Sequence, residues 1–245
     1  AGSVSIAGTT SGAEDGQTVS IAISSSAGGT PINTTATTNS NSYSLSNLDL
    51  SSLDDGTLTI TADVDDRAGN SAAQASDNTT KDTTAPTITV AINDGGDGVL
   101  NDCDTSTLTF SLSEPSTDFL QSDVSISGGT LSNWTAHSSS SYSANFTPNP
   151  HSTTDGVISV GSAAFSDLAG NTNNDDADPN NSVRFTIDTV RPTIAITNDD
   201  PDHSLTTGET STLTFSLSEP STDFLQSDVS VSGGTLSNWS AQSSS

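Results

Sequence analysis

The sequence predicts an all-β protein built from antiparallel β-sandwiches in tandem, and three observations predict it. Short runs such as 19–23 and 107–112 alternate apolar and polar residues, which is the period of half-buried strands. Clusters rich in Gly, Asp, Asn and Ser separate these runs, and no window has a helical period. Residues 106–140 and 211–245 are near-identical copies that differ at three positions, as in a tandem array.

Residues 1–83 form the first predicted unit. Its strand-like runs are 4–6, 19–23, 43–45 and 58–62, and turn-forming clusters lie between them. Runs of this length at this spacing are typical of an antiparallel sandwich.

Residues 84–189 form the second predicted unit. Because the chain is poor in aromatic residues, Trp134 is predicted to anchor its core. The predicted strands are 87–92, 107–112, 123–127, 142–146, 157–160 and 183–187. The predicted inward-facing residues are Leu108, Phe110, Leu112, Val124, Ile126, Tyr142, Phe146, Val183, Phe185 and Ile187.

Residues 190–245 form the third predicted unit, which repeats the first half of the second. Ser245 is the counterpart of Ser140, so no counterparts of residues 141–189 follow. We therefore expect the third unit to have open strand edges.

The excess of acidic residues limits the kinds of molecule that the protein can bind. Four Lys and Arg residues stand against 30 Asp and Glu residues, a formal net charge of −26. Such a surface repels nucleic acid and anionic membranes, and it attracts divalent cations. A merely solvated acidic surface is the alternative. No run of residues is long and apolar enough for membrane insertion.

Nothing in the sequence predicts an enzyme. There is no nucleophile elbow, phosphate-binding loop, dinucleotide fingerprint or zinc spacing. The single cysteine, Cys103, lies among acids in a turn and is interpreted as incidental, and the three histidines are scattered.

A hexapeptide that occurs twice separates the units. It is Asp-Thr-Thr-Ala-Pro-Thr at 82–87 and Asp-Thr-Val-Arg-Pro-Thr at 188–193. The proline fixes its own φ and holds the residue before it extended, so each copy predicts a stiff connector. Each copy begins with a carboxylate, and we interpret that carboxylate as a cation ligand.

Several motifs resemble bacterial immunoglobulin-like repeats. They are Phe-Ser-Leu-Ser-Glu at 110–114, Gly-Gly-Thr-Leu-Ser-Asn at 128–133, and Ser-Asp-Leu-Ala-Gly-Asn at 166–171 followed by Asp188. Residues 66–70, Asp-Arg-Ala-Gly-Asn, resemble the same turn in a shorter relative. The resemblance implies tandem immunoglobulin-like sandwiches from a large, type I-secreted surface adhesin. It also implies stalk modules stiffened by calcium at their joints.

Strand order predicts which loops meet at the first joint. We call the end of a unit that faces the preceding unit its upstream pole and the opposite end its downstream pole. If the first strand runs from upstream to downstream, the first loop lies downstream and the loop before the last strand lies upstream. Carboxylates and carbonyls without His or Cys suit Ca²⁺. The predicted calcium ligands are Glu14, Asp15, Asp82, Asp167 and Asn171, with Asp54 or Asp55 as a further contributor.

At the second joint the same strand order is expected to bring Asp188 close to Asp104, with Glu219 as a further ligand. Arg191 replaces the alanine of the first linker and makes this joint less acidic. Asp66 and Asn70 are expected to face a preceding domain.

A weaker match concerns the loop after the first strand of the second unit. Asn93, Asp97, Gly98 and Asp104 fit four positions of an EF-hand calcium loop, but the flanking segments are strand-like. A plain acidic turn is the favoured interpretation.

Three function classes follow. The leading one is a calcium-stiffened structural spacer of an extracellular adhesin, supporting cell adhesion or biofilm formation, with neighbouring repeats as its partners. A carbohydrate- or protein-binding module is the second, and the aromatics left for its contact patch are Phe119 and Phe224. An accessory region of a secreted hydrolase is the third.

Overall fold

The computed structural model describes residues 4–96, 98–175 and 179–241, and these ranges are almost entirely β-structure. All strand pairings among them fall within three segments, 4–81, 88–187 and 194–217. No helix among these residues has the length and apolar character to cross a bilayer.

The strands of the first unit are β1 (Val4–Thr9), β2 (Thr18–Ser25), β3 (Ile32–Thr37), β4 (Ser42–Leu48), β5 (Gly56–Val64) and β6 (Ala75–Lys81). A two-stranded sheet of β1 and β4 packs against a four-stranded sheet of order β3-β2-β5-β6. Alternation in β2 buries Val19, Ile21 and Ile23 and exposes Thr18 and Ser20, as the period of two predicts. Two strands, β3 and β6, were not predicted, and β6 has the sequence Ala-Ser-Asp-Asn-Thr-Thr-Lys, which carries no apolar alternation.

The strands of the second unit are β7 (Ile88–Asn93), β8 (Val99–Leu100), β9 (Ser106–Leu112), β10 (Val124–Ser127), β11 (Gly129–Ser138), β12 (Ser141–Pro148), β13 (Gly156–Val160) and β14 (Ser182–Ile187). They form a sandwich of two four-stranded sheets, of order β11-β12-β9-β7 and β10-β13-β14-β8. All pairings among them are antiparallel except β14 with β8, which is parallel. All six predicted strands are present, together with β8 and β11. The 3-10 turns of this unit are Gln121–Asp123 and Pro179–Asn181.

The core of the second unit lies between these sheets. Trp134 packs half-buried against it, with ring centroids 5.2 Å from Phe110 and 5.7 Å from Tyr142. Two sequence predictions were wrong here. Ile126 is 37% exposed: it lies near the end of the edge strand β10, whereas Val124 at the start of that strand is buried. Phe119 is 2% exposed and belongs to the core, so it is not a spare surface aromatic.

The third unit contains one two-stranded sheet among its described residues, formed by β15 (Ile194–Asn198) and β16 (Leu213–Leu217), and a 3-10 turn at Gln226–Asp228. The pairing of Ile194 with Leu217 repeats that of Ile88 with Leu112. Ile194 is nevertheless 50% exposed, whereas Ile88 is 1% exposed. In the described part of this unit no second sheet covers the pair.

Candidate metal centre at the first joint

The linker after β6 is tied to the first unit through Asp55. The Asp55 carboxylate accepts hydrogen bonds from the Thr83 amide (2.7 Å) and hydroxyl, and it pairs with Lys81 Nζ at 2.6 Å. The Lys81 and Thr83 donors hold the pKa of Asp55 far below its usual range. The start of the linker is therefore anchored to the downstream pole of the first unit.

The other side of the linker lies along the loop between β13 and β14 of the second unit. Asn171 Nδ2 donates to the carbonyl of Asp82 at 3.3 Å, and the Asn174 amide donates to the carbonyl of Pro86 at 3.3 Å. Asp175, which is 1% exposed, accepts the amide of Ile88 at 2.9 Å. Contacts from one loop thus follow the linker from its first residue into β7.

A tight turn within that loop presents the Asp167 carboxylate to the linker. Its Oδ1 accepts the amides of Ala169 (2.8 Å) and Asn171 (2.9 Å), and its Oδ2 accepts Asn171 Nδ2 at 2.8 Å. Gly170 adopts φ 90°, which favours glycine. Burial opposes ionisation of Asp167, but the hydrogen bonds led by Asn171 outweigh it and lower the pKa of this carboxyl. Asp167 is therefore held as a carboxylate although it is 7% exposed.

A third carboxylate completes the group. One oxygen atom each from Asp82, Glu114 and Asp167 lies within 4.8 Å of the others. Asp82 and Glu114 are half-buried and Asp167 is buried. Burial, followed by the like charges of Asp82, Asp167 and Asp55, raises the pKa of Glu114. The first joint thus concentrates negative charge that the neighbouring side chains do not neutralise.

This donor set fits a hard divalent cation. Carboxylate, amide and main-chain carbonyl oxygens are the ligands of Ca²⁺, and neither His nor Cys belongs to the group. Among the described residues, the three salt bridges involve Asp55, Asp102 and Asp155, and none involves the clustered acids. The residues present therefore fit Ca²⁺: Asp82, Glu114 and Asp167 would supply the carboxylate ligands, with Asn171 beside them.

Two predicted ligands lie at the wrong pole. Gly56 at the start of β5 pairs with Lys81, whereas Val64 at its end pairs with Val19, which follows the loop carrying Glu14 and Asp15. That loop is therefore separated from the linker by the nine-residue length of β5.

The contacts of the two acids agree with this placement. Glu14 Oε2 accepts the amide of Arg67 at 3.0 Å, and Asp15 Oδ1 accepts the amide of Ser40 at 2.7 Å. The prediction failed because β1 runs antiparallel to β4 and begins beside Leu48, so it starts at the downstream pole and not at the upstream one. Asp55, the further contributor named above, does lie at the joint, whereas its neighbour Asp54 is exposed.

The second joint is built differently. Asp104 accepts the amide of Asn101 at 2.8 Å, and Asp188 accepts the amide of Val190 at 3.1 Å, so each caps its own turn. The Arg191 guanidinium pairs with the carboxylate of Asp102, a residue that sequence analysis did not single out. In the ranges that the structure describes, three acids converge only at the first joint.

Glu114 was not among the residues predicted for the first joint, although the sequence contained a signal for it. Its repeat counterpart, Glu219, was named for the second joint, and the near-identity of the two copies transfers that role by an offset of 105 residues. The EF-hand hypothesis includes Asp97, which lies outside the described residues, so it stays a prediction. Its Asn93 accepts the amide of Gly95 at 3.4 Å within the turn.

A family model described as "Bacterial Ig-like domain" matches residues 82–185 and 188–245. A comparison with curated protein sequences gave no match. Among solved structures, the chain is similar to a tetra-tandem repeat in the extending region of a large adhesion protein, with 28% identity over 87% of this chain, 52% of that chain and a TM-score of 0.35.

Two further solved structures show similarity at lower identity. One is invasin, a bacterial integrin-binding protein, with 16% identity over 82% of this chain, 43% of that chain and a TM-score of 0.35. The other is from a 1.5-MDa bacterial ice-binding adhesin, with 20% identity over 82% of this chain, 63% of that chain and a TM-score of 0.40. The chain spans about half of the tetra-tandem repeat structure.

Proposed function

The chain belongs to the bacterial Ig-like domain family, and from that premise we propose that it forms structural spacer repeats of an extracellular, cell-surface bacterial adhesin, without catalytic activity. The tandem order of the units and the near-identity of residues 106–140 and 211–245 support a repeating stalk. The net charge of −26 supports a soluble surface that binds cations.

We further propose that Ca²⁺ stiffens the first joint. The observation that carries this proposal is the convergence of Asp82, Glu114 and Asp167 within 4.8 Å. Asp82 belongs to the linker, whereas Glu114 follows β9 and Asp167 lies in the loop after β13. A cation bound by all three would cross-link the linker to two loops of the second unit.

The existing contacts explain why such a cross-link would act on two units and not on one. Asp55 ties the linker to the first unit through Thr83, next to Asp82. A cation that fixes Asp82 to the second unit therefore closes a continuous connection from one sandwich to the next. Without the cation the three like charges repel, and hydrogen bonds alone hold the linker against the second unit, so the joint should bend more easily.

Calcium titration and solution scattering of the chain test this proposal. We expect a calcium site by titration calorimetry, and a less extended, more flexible particle in EDTA. At a calcium concentration of about 100 times Kd the ion adds roughly 2.7 kcal/mol to the stability of the folded form, so the melting temperature should fall on chelation.

Asp82→Ala is the decisive variant. Its matched control is Asp188→Ala, which removes the equivalent acid of the second linker. Asp82→Ala should weaken calcium binding and leave the sandwiches folded, whereas Asp188→Ala should leave the site at the first joint intact. Identical calcium affinity and stoichiometry in Asp82→Ala and in the unsubstituted chain would rule out the calcium joint.

A further inference from the structure

A carboxylate outside the cluster joins the two loops of the second unit that carry its acids. Asp118 Oδ1 accepts the Ser116 hydroxyl at 2.7 Å and the Ser166 amide at 2.9 Å. Its Oδ2 accepts the Ser166 hydroxyl at 2.5 Å. One side chain therefore receives three hydrogen bonds from two segments that lie far apart in sequence.

These two segments carry the candidate ligands. Ser116 lies two residues after Glu114 and is 2% exposed, and Ser166 directly precedes Asp167. A β-bridge between Ser116 and Asp167 adds a main-chain connection beside the Asp118 hydrogen bonds. The first segment follows β9 and the second follows β13, and these strands belong to different sheets. Asp118 thus ties the two sheets together next to the metal centre.

In the absence of a cation, the Asp118 hydrogen bonds oppose electrostatic repulsion between the two loops. The carboxylates of Glu114 and Asp167 have oxygen atoms within 4.8 Å of each other, and repulsion between these like charges favours separation of the two loops. A cation site with ligands on separate loops binds strongly only if those loops are already close. The Ser166 hydrogen bonds oppose the separation at the residue next to the ligand.

We propose that Asp118 is a positioning residue for the first joint: it holds the Ser166–Asp167 segment against the segment that follows Glu114, so that both carboxylates face one cation. This inference rests on the proposed calcium function. Asp118 itself does not contact the ion, and its effect is exerted through Ser166.

The third unit supplies a matched control. Asp223 is the repeat counterpart of Asp118, and it accepts the hydroxyl of Ser221 at 2.7 Å as Asp118 accepts that of Ser116. In the described part of the third unit, Asp223 joins Ser221 to no other loop. Asp223→Ala therefore removes the same charge and the same local hydrogen bond without releasing the Ser166 segment.

The experiment measures the calcium Kd by titration calorimetry for the full chain and for Asp118→Ala, Asp118→Asn and Asp223→Ala, and the melting temperature of each in EDTA. We expect Asp118→Ala to raise the Kd about 10- to 100-fold, as loss of an orienting partner around a metal typically does. Asparagine keeps an acceptor for the Ser166 amide, so Asp118→Asn should raise the Kd less. Asp223→Ala should leave the Kd unchanged.

Three results would overturn the positioning role. The first is an unchanged Kd in folded Asp118→Ala. The second is an equal loss in Asp118→Asn and Asp118→Ala, which would assign the effect to charge alone. If Asp118→Ala does not fold, Ser166→Ala replaces it, because that variant removes only the hydroxyl hydrogen bond to Asp118. The third result is an unchanged calcium Kd in Ser166→Ala.

Failure of the calcium function itself gives a different pattern. In that case Asp82→Ala and the unsubstituted chain bind calcium identically, and the positioning role falls with the site. A site that is lost in Asp82→Ala and intact in Asp118→Ala overturns the positioning role alone.

Discussion

The side-chain amide of Asn171 donates a hydrogen bond to the main-chain carbonyl of Asp82 across 89 residues of sequence. Through this contact the final loop of the second unit reaches the first residue of the linker that precedes the unit. The orientation of the two units is therefore linked to the conformation of one turn, Asp167 to Asn171. Substitutions in and around this turn give the most direct tests of the joint.

Glu114→Gln should have effects of opposite sign with and without calcium. In EDTA at neutral pH, the neutral side chain removes repulsion from Asp82 and Asp167, so the melting temperature should rise by a few degrees. In calcium a charged ligand is lost, so the Kd should rise about tenfold or more. Calorimetric melting and calcium titration of the same variant measure both effects.

The pH dependence of the Glu114→Gln effect follows from the raised pKa of Glu114. A carboxyl whose pKa is raised by folding favours the folded form when it is protonated, and that advantage is lost as pH rises through the folded pKa. The higher melting temperature of Glu114→Gln in EDTA should therefore be present at pH 7 and vanish below about pH 4, where Glu114 is itself protonated. A gain that persists at low pH would show that repulsion is not its cause.

Asp55→Asn should loosen the anchor between the linker and the first unit. The pKa of Asp55 is lowered in the folded chain by Lys81 and Thr83, so its contribution to stability is present above the ordinary carboxyl pKa. It is lost as pH falls through the lower, folded value. Asp55→Asn should thus lower the melting temperature of the first unit at pH 7, and the difference from the unsubstituted chain should shrink below about pH 4. Asp54→Asn, at the exposed neighbour, is the control and should change little.

Trp134→Ala should destabilise the second unit by about 3 kcal/mol, because a large ring is lost from contacts with Phe110, Phe119 and Tyr142. The half-buried position of Trp134 places the cost at the lower end of the range for such truncations. Urea denaturation followed by circular dichroism measures it. Trp239→Ala, the equivalent change in the third unit, should leave that transition in place. A cost below about 1 kcal/mol for Trp134→Ala would contradict its role as a core anchor.

The sequence predicted the strands with the clearest apolar alternation and missed β3, β6, β8 and β11. In β9 every second residue is buried, and alternation there is complete. β6 and β11 escaped prediction because β6 has no apolar alternation and most positions of β11 are exposed. Hydrogen bonding to a neighbouring strand stabilises such segments, and that contribution leaves no periodic trace in the sequence.

The candidate metal centre could be predicted from the sequence only in part. Asp82 follows from the linker motif, and Asp167 and Asn171 follow from the rule that the loop before the last strand returns to the upstream pole. Glu14 and Asp15 were misplaced because that rule assumes a direction for the first strand, which pairing with β4 reverses.

By itself, the sequence determined the all-β class, the tandem repeat, the acidic composition and the places of the two proline-containing linkers, because each of these depends on local composition and spacing. The tertiary structure alone decided which carboxylates meet. Glu114 joins Asp82 and Asp167 because β9 and β13 end at the same pole of opposite sheets. Convergence of residues so distant in sequence depends on strand direction and sheet order, and neither has a local signature in the chain.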